Sequence, residues 1–276
     1  AALTANTTGA ENTAVGRTAL GANTTGINNT AVGRDALKEN TTASDNTAVG
    51  HNALLLNTTG TRLVAVGKDA LKLNTTGVDN VAIGRFALRD NTTASSSIAI
   101  GTNALVLNTA SDNNAIGAYA LGSNTTGTRN QAFGTSAMQN ATTGNYNIAV
   151  GYTSLFSNTS ASSNTGLGDS SLYSNTVGNN NTAVGFQALV SNTTSASTVA
   201  VGHSAGYSQT TNGQNVFVGQ SAGYFTDGYK NCYVGFHAGD DMTTGDNNTI
   251  LGSFGGNQSG LDIRTSNNRV VLSDGD

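Results

Sequence analysis

Few residues in this chain have the types and spacing that reaction chemistry requires. The three histidines, His51, His203 and His237, lie far apart without the close spacing of a metal-ligand set, so each reads as a surface residue. Asp240 and Asp241 come nearest to a carboxylate pair. Neighbours in an extended segment point to opposite sides, however, whereas two carboxylates working on one glycosidic bond must flank it. No phosphate-cradling glycine loop is present, and no Ser-His-Asp arrangement is legible in the spacing. The single cysteine, Cys232, excludes an intrachain disulfide framework and a cysteine-rich metal site. It stands where other repeats carry Thr or Val and reads as a small apolar filler. The chain therefore reads as non-enzymatic, with no catalytic, metal-binding or cofactor-binding residue expected.

Composition narrows the class further. Among 276 residues there are 35 glycines, no proline and no tryptophan, while aromatic residues make up 6% and charged residues 10%. Chains this poor in large apolar side chains cannot build a thick core, so the core must be thin and renewed at short intervals. The net charge of -4 comes with no basic run, which leaves nucleic-acid binding without electrostatic support. No stretch approaches the roughly 20 apolar residues that span a bilayer, so membrane insertion is not expected. The opening residues, AALTANTTGA, lack the charged and apolar regions of a signal peptide.

The elements that position these residues follow from a repeat. A glycine after an apolar residue recurs at Gly16, Gly33, Gly50, Gly67, Gly84 and Gly101, and onward from Gly117 to Gly252. The step is 17 residues except from 101 to 117 and from 219 to 235, where it is 16. The unit reads N-T-A-V-G-x-x-A-L-x-x-N-T-T-G-x-x, as in residues 12–28 and 29–45. One apolar column runs through Val15, Val32, Val49 and Val66, and a second through Leu20, Leu37, Leu54 and Leu71. Under strand alternation Thr13 shares the face of Val15, and Ala14 and Ala31 point the other way.

Seventeen residues are too few for a helical repeat, and β-branched T-A-V-G cores with Gly and Asn punctuation favour short strands and tight turns. Each unit is then one coil of a parallel β-solenoid, or β-roll, of about fifteen coils. At an inter-strand spacing of about 4.8 Å these would make a rod about 70 Å long. The expected coil has two strands, with the Val and Leu columns forming its apolar spine. Asparagines form two further columns, one at Asn12, Asn29 and Asn46 and one at Asn6, Asn23 and Asn40. Their amides are suited to hydrogen-bond the equivalent amide one coil on. The glycines after N-T-T, such as Gly26, Gly60 and Gly77, are expected to supply positive φ.

A lumen filled by one Val and one Leu per coil is thin, and the small Ala leaves a second, nonpolar face. That Ala face is expected to pack against other copies of the chain, with a homotrimer as the expected closed assembly.

N-T-A-V-G and S-I-A-I-G resemble the repeated strand motif in the head domains of trimeric autotransporter adhesins. A nearer resemblance, over residues 1 to about 257, is to bacteriophage tail-fibre proteins carrying runs such as N-T-A-V-G-R-D-A-L-K-E-N-T-T, here residues 29–42. It implies a fibre shaft on a virion tail, outside the cell. The implied partners are copies of itself, other fibre or tail proteins, and a host cell-surface glycan or protein. Residues 1–257 read as the repetitive shaft and residues 258–276 as a non-repetitive C-terminal connector or cap. Within that cap a strand is expected at residues 269–272, followed by an Asp-Gly turn. Residues 259–276 are similar to the stretch that precedes a self-cleaving chaperone in such fibres, which implies a mature or truncated shaft.

Two features change along the chain. Arg17, Arg34, His51, Lys68 and Arg85 make a basic row in the first third, expected to be a solvated face. From residue 204 the Leu column turns to Gly206, Gly223 and Gly239, with Tyr207 and Tyr224 following the first two and expected to replace the aliphatic filler. The aromatic-rich end offers Tyr207, Tyr224, Tyr229 and Phe236 as candidate receptor contacts, with glycan recognition and packing between chains as the two readings. A bacterial surface adhesin head is the alternative to a tail fibre, and an ice-binding solenoid, from the Thr columns, a weaker one.

Overall fold

The computed structural model describes residues 1–258 and 260–273. They form an all-β parallel solenoid of about 15 turns at a spacing of about 17 residues, with no helix among the described residues. The chain divides into two compact units, Ala1–Ser136 and the residues from Ala137 onward. The first holds β1 (Thr13–Val15), β2 (Thr30–Val32), β3 (Thr47–Val49), β4 (Val64–Val66), β5 (Val81–Ile83), β6 (Ile98–Ile100), β7 (Asn114–Ile116) and β8 (Gln131–Phe133). The second holds β9 (Ile148–Val150), β10 (Thr165–Leu167), β11 (Thr182–Val184), β12 (Val199–Val201), β13 (Val216–Val218), β14 (Cys232–Val234) and β15 (Thr249–Leu251). It closes with β16 (Asn257–Gln258), β17 (Leu261–Asp262) and β18 (Val270–Leu272). Equivalent residues stack in register, as in Thr13 on Thr30, Ala14 on Ala31 and Val15 on Val32.

Each coil has one three-residue strand, not the two expected. The A-L segment is excluded from extended structure because its backbone turns left-handed. In the first coil φ is 57° at Thr18, 49° at Leu20 and 58° at Asn28, and the same three positions recur in later coils. A left-handed non-glycine residue costs about 1–2 kcal/mol. The turns recover that cost by keeping their backbone groups paired between coils. The Leu20 amide donates to the Ala36 carbonyl at 3.1 Å, that of Ala22 to Lys38 at 2.9 Å and that of Asp35 to Arg17 at 2.9 Å.

The inside and outside of the strand are the reverse of the expected arrangement. Ala31, Ala36 and Leu37 are fully buried, and Ala48, Ala53 and Leu54 repeat the pattern. Val32 and Val49 are 36% exposed, and Val15 is 59% exposed. The Leu column is the spine, as expected, but the Ala face lines the lumen and the Val face looks outward. The reason is width: once a leucine fills the narrow interior, only a methyl group fits on the strand opposite. Cys232, first in β14, therefore lies on the outward face, half-buried and in register with Val216 and Thr249.

Both asparagine columns are built as ladders. Asn23 donates to Asn6 Oδ1 at 3.0 Å, and Asn40 to Asn23 Oδ1 at 3.0 Å. In the other column Asn12 accepts from the Asn29 amide at 2.9 Å and donates to the Gly26 carbonyl at 2.7 Å. Gly33 has φ 136°, and a side chain there would start 2.5 Å from the Gly50 carbonyl oxygen. Gly26, Gly60 and Gly77, by contrast, do not have positive φ. Their need for glycine is proximity: a Cβ on Gly26 would meet Asn23 Oδ1 at 2.5 Å.

The 16-residue steps lose their residue in one place, the corner between the two asparagine columns. That corner is a step of five positions from Asn108 to Asn113 and from Thr226 to Asn231, against six from Asn91 to Ser97. The strands keep register across both deletions, with Ile98 on Asn114 and Val216 on Cys232.

In the second unit the lumen is repacked. Phe217 and Tyr233 stand at the inward strand position normally held by alanine and are fully buried. A Cβ on Gly206 would lie 2.8 Å from Phe217 Cδ2, and one on Gly239 would lie 2.5 Å from Tyr233 Cδ2. Phe217 and Tyr233, not Tyr207 and Tyr224, thus replace the missing leucines. Gly206, Gly223 and Gly239 keep φ of 61–64°, so the left-handed turn survives the change.

The last coil is longer. β18 pairs with β15, Thr249 on Val270, after a step of 21 residues instead of 17, which agrees with the strand expected at residues 269–272. The extra residues make the antiparallel hairpin β16–β17. The expected Asp-Gly turn, Asp274 and Gly275, lies outside the described residues.

Candidate functional site

Repeats stacked in register give flat faces, and the second unit departs from flatness where its period breaks. The residue after each left-handed Leu or Gly sits on one corner of the coil. Reading that corner in steps of 17 gives Phe156, Tyr173, Val190, Tyr207 and Tyr224. Phe156 stacks on Tyr173 at 5.2 Å and 4°, and Tyr207 on Tyr224 at 4.7 Å and 6°. Phe156 and Tyr173 were not singled out in the sequence; writing it in repeat register would have exposed them. Parallel stacking covers the facing ring surfaces, so this corner offers ring edges and hydroxyls more than open faces.

Phe225 follows Tyr224 and behaves differently. It is 54% exposed and meets Tyr224 at 4.7 Å and 77°. On one side of it lies a cavity of about 210 Å3 lined by Ser221, Tyr224, Phe225, His237 and Asp240. On the other lies one of about 600 Å3 lined by Phe225, Asp241, Thr243, Asp262, Arg264 and Thr265. The lengthened last coil makes the larger one, because Arg264 follows the inserted hairpin and its carbonyl accepts the Thr243 amide at 3.0 Å.

The smaller cavity brings together Ser, His and Asp side chains that sequence spacing left apart. His237 Nδ1 lies 2.5 Å from Asp240 Oδ2. The Ser221 hydroxyl makes no hydrogen bond to His237, so the hydrogen-bonded contact of this cavity is the His237–Asp240 pair. Asp240 and Asp241 line different cavities, but their segment is a turn and not extended, and oxygens of both carboxylates approach Gly255, where an added Cβ would lie 2.6 Å from Asp240 Oδ1 and 3.8 Å from Asp241 Oδ2. Among the described residues no group of three potential ligands is placed to hold a metal ion.

In the larger cavity Arg264 clamps Asp262 through two hydrogen bonds, at 3.0 and 2.8 Å. These bonds hold the Asp262 carboxyl below its ordinary range and raise Arg264. Buried Tyr233, beneath this surface, has its hydroxyl pushed upward by desolvation, which Asn248 and Thr226 beside it only partly oppose.

The sequence-expected contacts are only partly gathered. Tyr207 and Tyr224 lead along their corner to Phe225. Phe236 is 60% exposed at the next corner, 4.2 Å from His237. Tyr229 lines neither cavity; Lys230 lies over its ring at 4.9 Å, and its amide donates to Asp246 at 2.7 Å. The basic row of the first unit is exposed at Arg17, Arg34, Lys68 and Arg85. Arg34 meets both His51 and, at 3.4 Å, Asp35.

What the fold defines is a parallel β-solenoid with a ring-lined, indented end in its second unit. No protein-family model matches the chain, and no curated protein matches its sequence.

Proposed function

We propose that the chain is a subunit of a fibre shaft, associating with parallel copies of itself, a homotrimer in its simplest closed form, to attach a virion tail to a host surface. The observation that carries this reading is the outward strand face. In the first unit Val32, Val49, Ile83, Ile116 and Phe133 are 36–40% exposed, on strands in register. In the second, Val201 and Leu251 continue the pattern at 36% and 42%. Contiguous apolar surface of this kind marks an interaction site. Its repeat favours a partner with the same spacing, and a second copy of this chain has it. The outward Val face thus takes the role first expected of the Ala face. The resemblance to tail-fibre repeats supports the setting outside the cell, with other tail proteins at the ends and a host glycan or protein as the target.

Analytical ultracentrifugation of the whole chain tests the reading. The expected result is a trimer at micromolar concentration, shifted to monomer by Val49→Glu with Val66→Glu. A wild-type chain that sediments as a folded monomer overturns it.

A further inference from the structure

We propose that the larger cavity beside Phe225 is a saccharide subsite that takes an uncharged or amino-bearing hexose and rejects anionic sugars. This deepens the attachment reading and rests on it, since it names what the indented end of the second unit would hold.

Three observations converge. The first is the ring. Tyr207 and Tyr224 cover one another, but Phe225 meets its neighbour at 77° and remains 54% exposed, so a ring face is left for the C–H surface of a pyranose. The second is shape. At about 600 Å3 the cavity falls within the roughly 300–1,000 Å3 of small-molecule sites, and Phe225 forms one wall of it.

The third is the polar lining. Thr243 and Thr265 supply hydroxyls, Asp241 and Asp262 acceptors and Arg264 donors. Adjacent sugar hydroxyls each donate and accept, which suits such a mixture. Charge decides among sugars. The Arg264 guanidinium is already paired with both oxygens of Asp262 through two of its five N–H groups, so its charge is offset within the lining. Asp241 is exposed and makes no ion pair within 4.0 Å among the described residues, which leaves the lining one negative charge in excess. A sialic or uronic acid would meet that charge; an ammonium or neutral hydroxyl would be drawn to it.

Isothermal titration of the whole chain with lactose, chitotriose, glucosamine and sialyllactose tests the assignment. At least one of the first three is expected to bind, with sialyllactose at least tenfold weaker than lactose. Phe225→Ala is expected to weaken that binding at least tenfold and Asp241→Asn to weaken glucosamine most. Tyr152→Ala, at an exposed ring outside the cavity, should leave it unchanged. Phe225 and Asp241 are exposed, so both variants should keep the circular dichroism and sedimentation of the parent. Sialyllactose binding as tightly as lactose, no binding by any of the four, or binding indifferent to Phe225→Ala overturns the subsite. A chain that remains trimeric in such a case separates this failure from that of the shaft reading.

Discussion

A Cβ added to Gly223 would stand 2.5 Å from Cδ1 of Phe217, so the bare α-carbon and the ring are two halves of one packing solution. Elsewhere the lumen pairs alanine on the strand with leucine on the turn, as in Ala31 and Leu37. Here the large and small partners have changed places.

That exchange predicts a non-additive pair of substitutions. Phe217→Ala should empty a fully buried site at a cost of about 3–5 kcal/mol, and Gly223→Leu should clash with the ring. Combining them restores the Ala–Leu pairing of other coils. The double variant should therefore unfold in urea less easily than the sum of the single effects implies, by more than about 1 kcal/mol. Additive losses would show that the two sites are independent.

The exchange also shows what was legible in the sequence. The period gave the coil, its glycines, the Leu spine and the asparagine ladders, because each repeats a residue type whose chemistry is restrictive. It did not reveal which strand face was inner. Alternation separates Val32 from Ala31 but carries no sign, and hydrophobicity alone favoured burying the larger side chain. The sign is set by lumen width, and the Phe217–Gly223 exchange shows it by contrast. Left-handed leucines were hidden for another reason: nothing in a Leu marks φ near 50°. The candidate cavity depends on a hairpin between the last coils, which the sequence showed only as a lapse in the period.

Gly50→Ala should be costly although it adds only a methyl group. The backbone there has φ 135°, outside the range alanine prefers, and the new Cβ would stand 2.6 Å from the Gly67 carbonyl oxygen. Strain and collision act together, so a loss of about 2 kcal/mol or more is expected. Gly21→Ala is the control, since its Cβ would come no nearer than 3.2 Å and its φ is not positive. Thermal melts of equal Tm for the two variants would contradict the close-stacking account.

Stability should fall in acid through a few carboxylates of the first unit. A hydrogen bond from Thr18 lowers Asp35, and one from Arg62 lowers Asp79. Burial alone would raise Asp69, but Asn52 and Lys72 outweigh it and bring it below 3.8. Each folded value lies under its unfolded one, so the contribution is fully present above about pH 4 and lost as pH falls through the folded values. Tm should hold steady from pH 7 to about 5 and drop below about 4, less steeply in Asp69→Asn. A Tm that does not fall between pH 4 and pH 2 contradicts this assignment.

Asn40 is where the ladder can be tested most directly. It is fully buried, donates to Asn23 Oδ1 at 3.0 Å and to the Ala43 carbonyl at 2.9 Å, and accepts from Asn57 at 3.1 Å. Asn40→Leu keeps the number and branching of the side-chain heavy atoms but strands partners in both adjacent coils. Each buried group so orphaned costs about 1–3 kcal/mol, so the total should exceed that of any exposed substitution nearby. Asn40→Asp, which keeps the acceptor and loses the donors, should be worse at pH 7 than at pH 4, because its charge would be buried without a counter-ion. The second unit tolerates departures from the ladder: Asn192 Oδ1 is buried without a partner among the described residues, because Gln209 in the next coil turns its amide to Ser195 and Thr198. Gln209→Asn should repair that rung and raise stability in urea unless the lost bonds to Ser195 and Thr198 cancel the gain. The triple change Gln209→Asn, Ser195→Ala, Thr198→Val removes those hydroxyls and isolates the rung. If Asn40→Leu costs no more than an exposed Asn28→Leu, the asparagine columns do not hold the coils together.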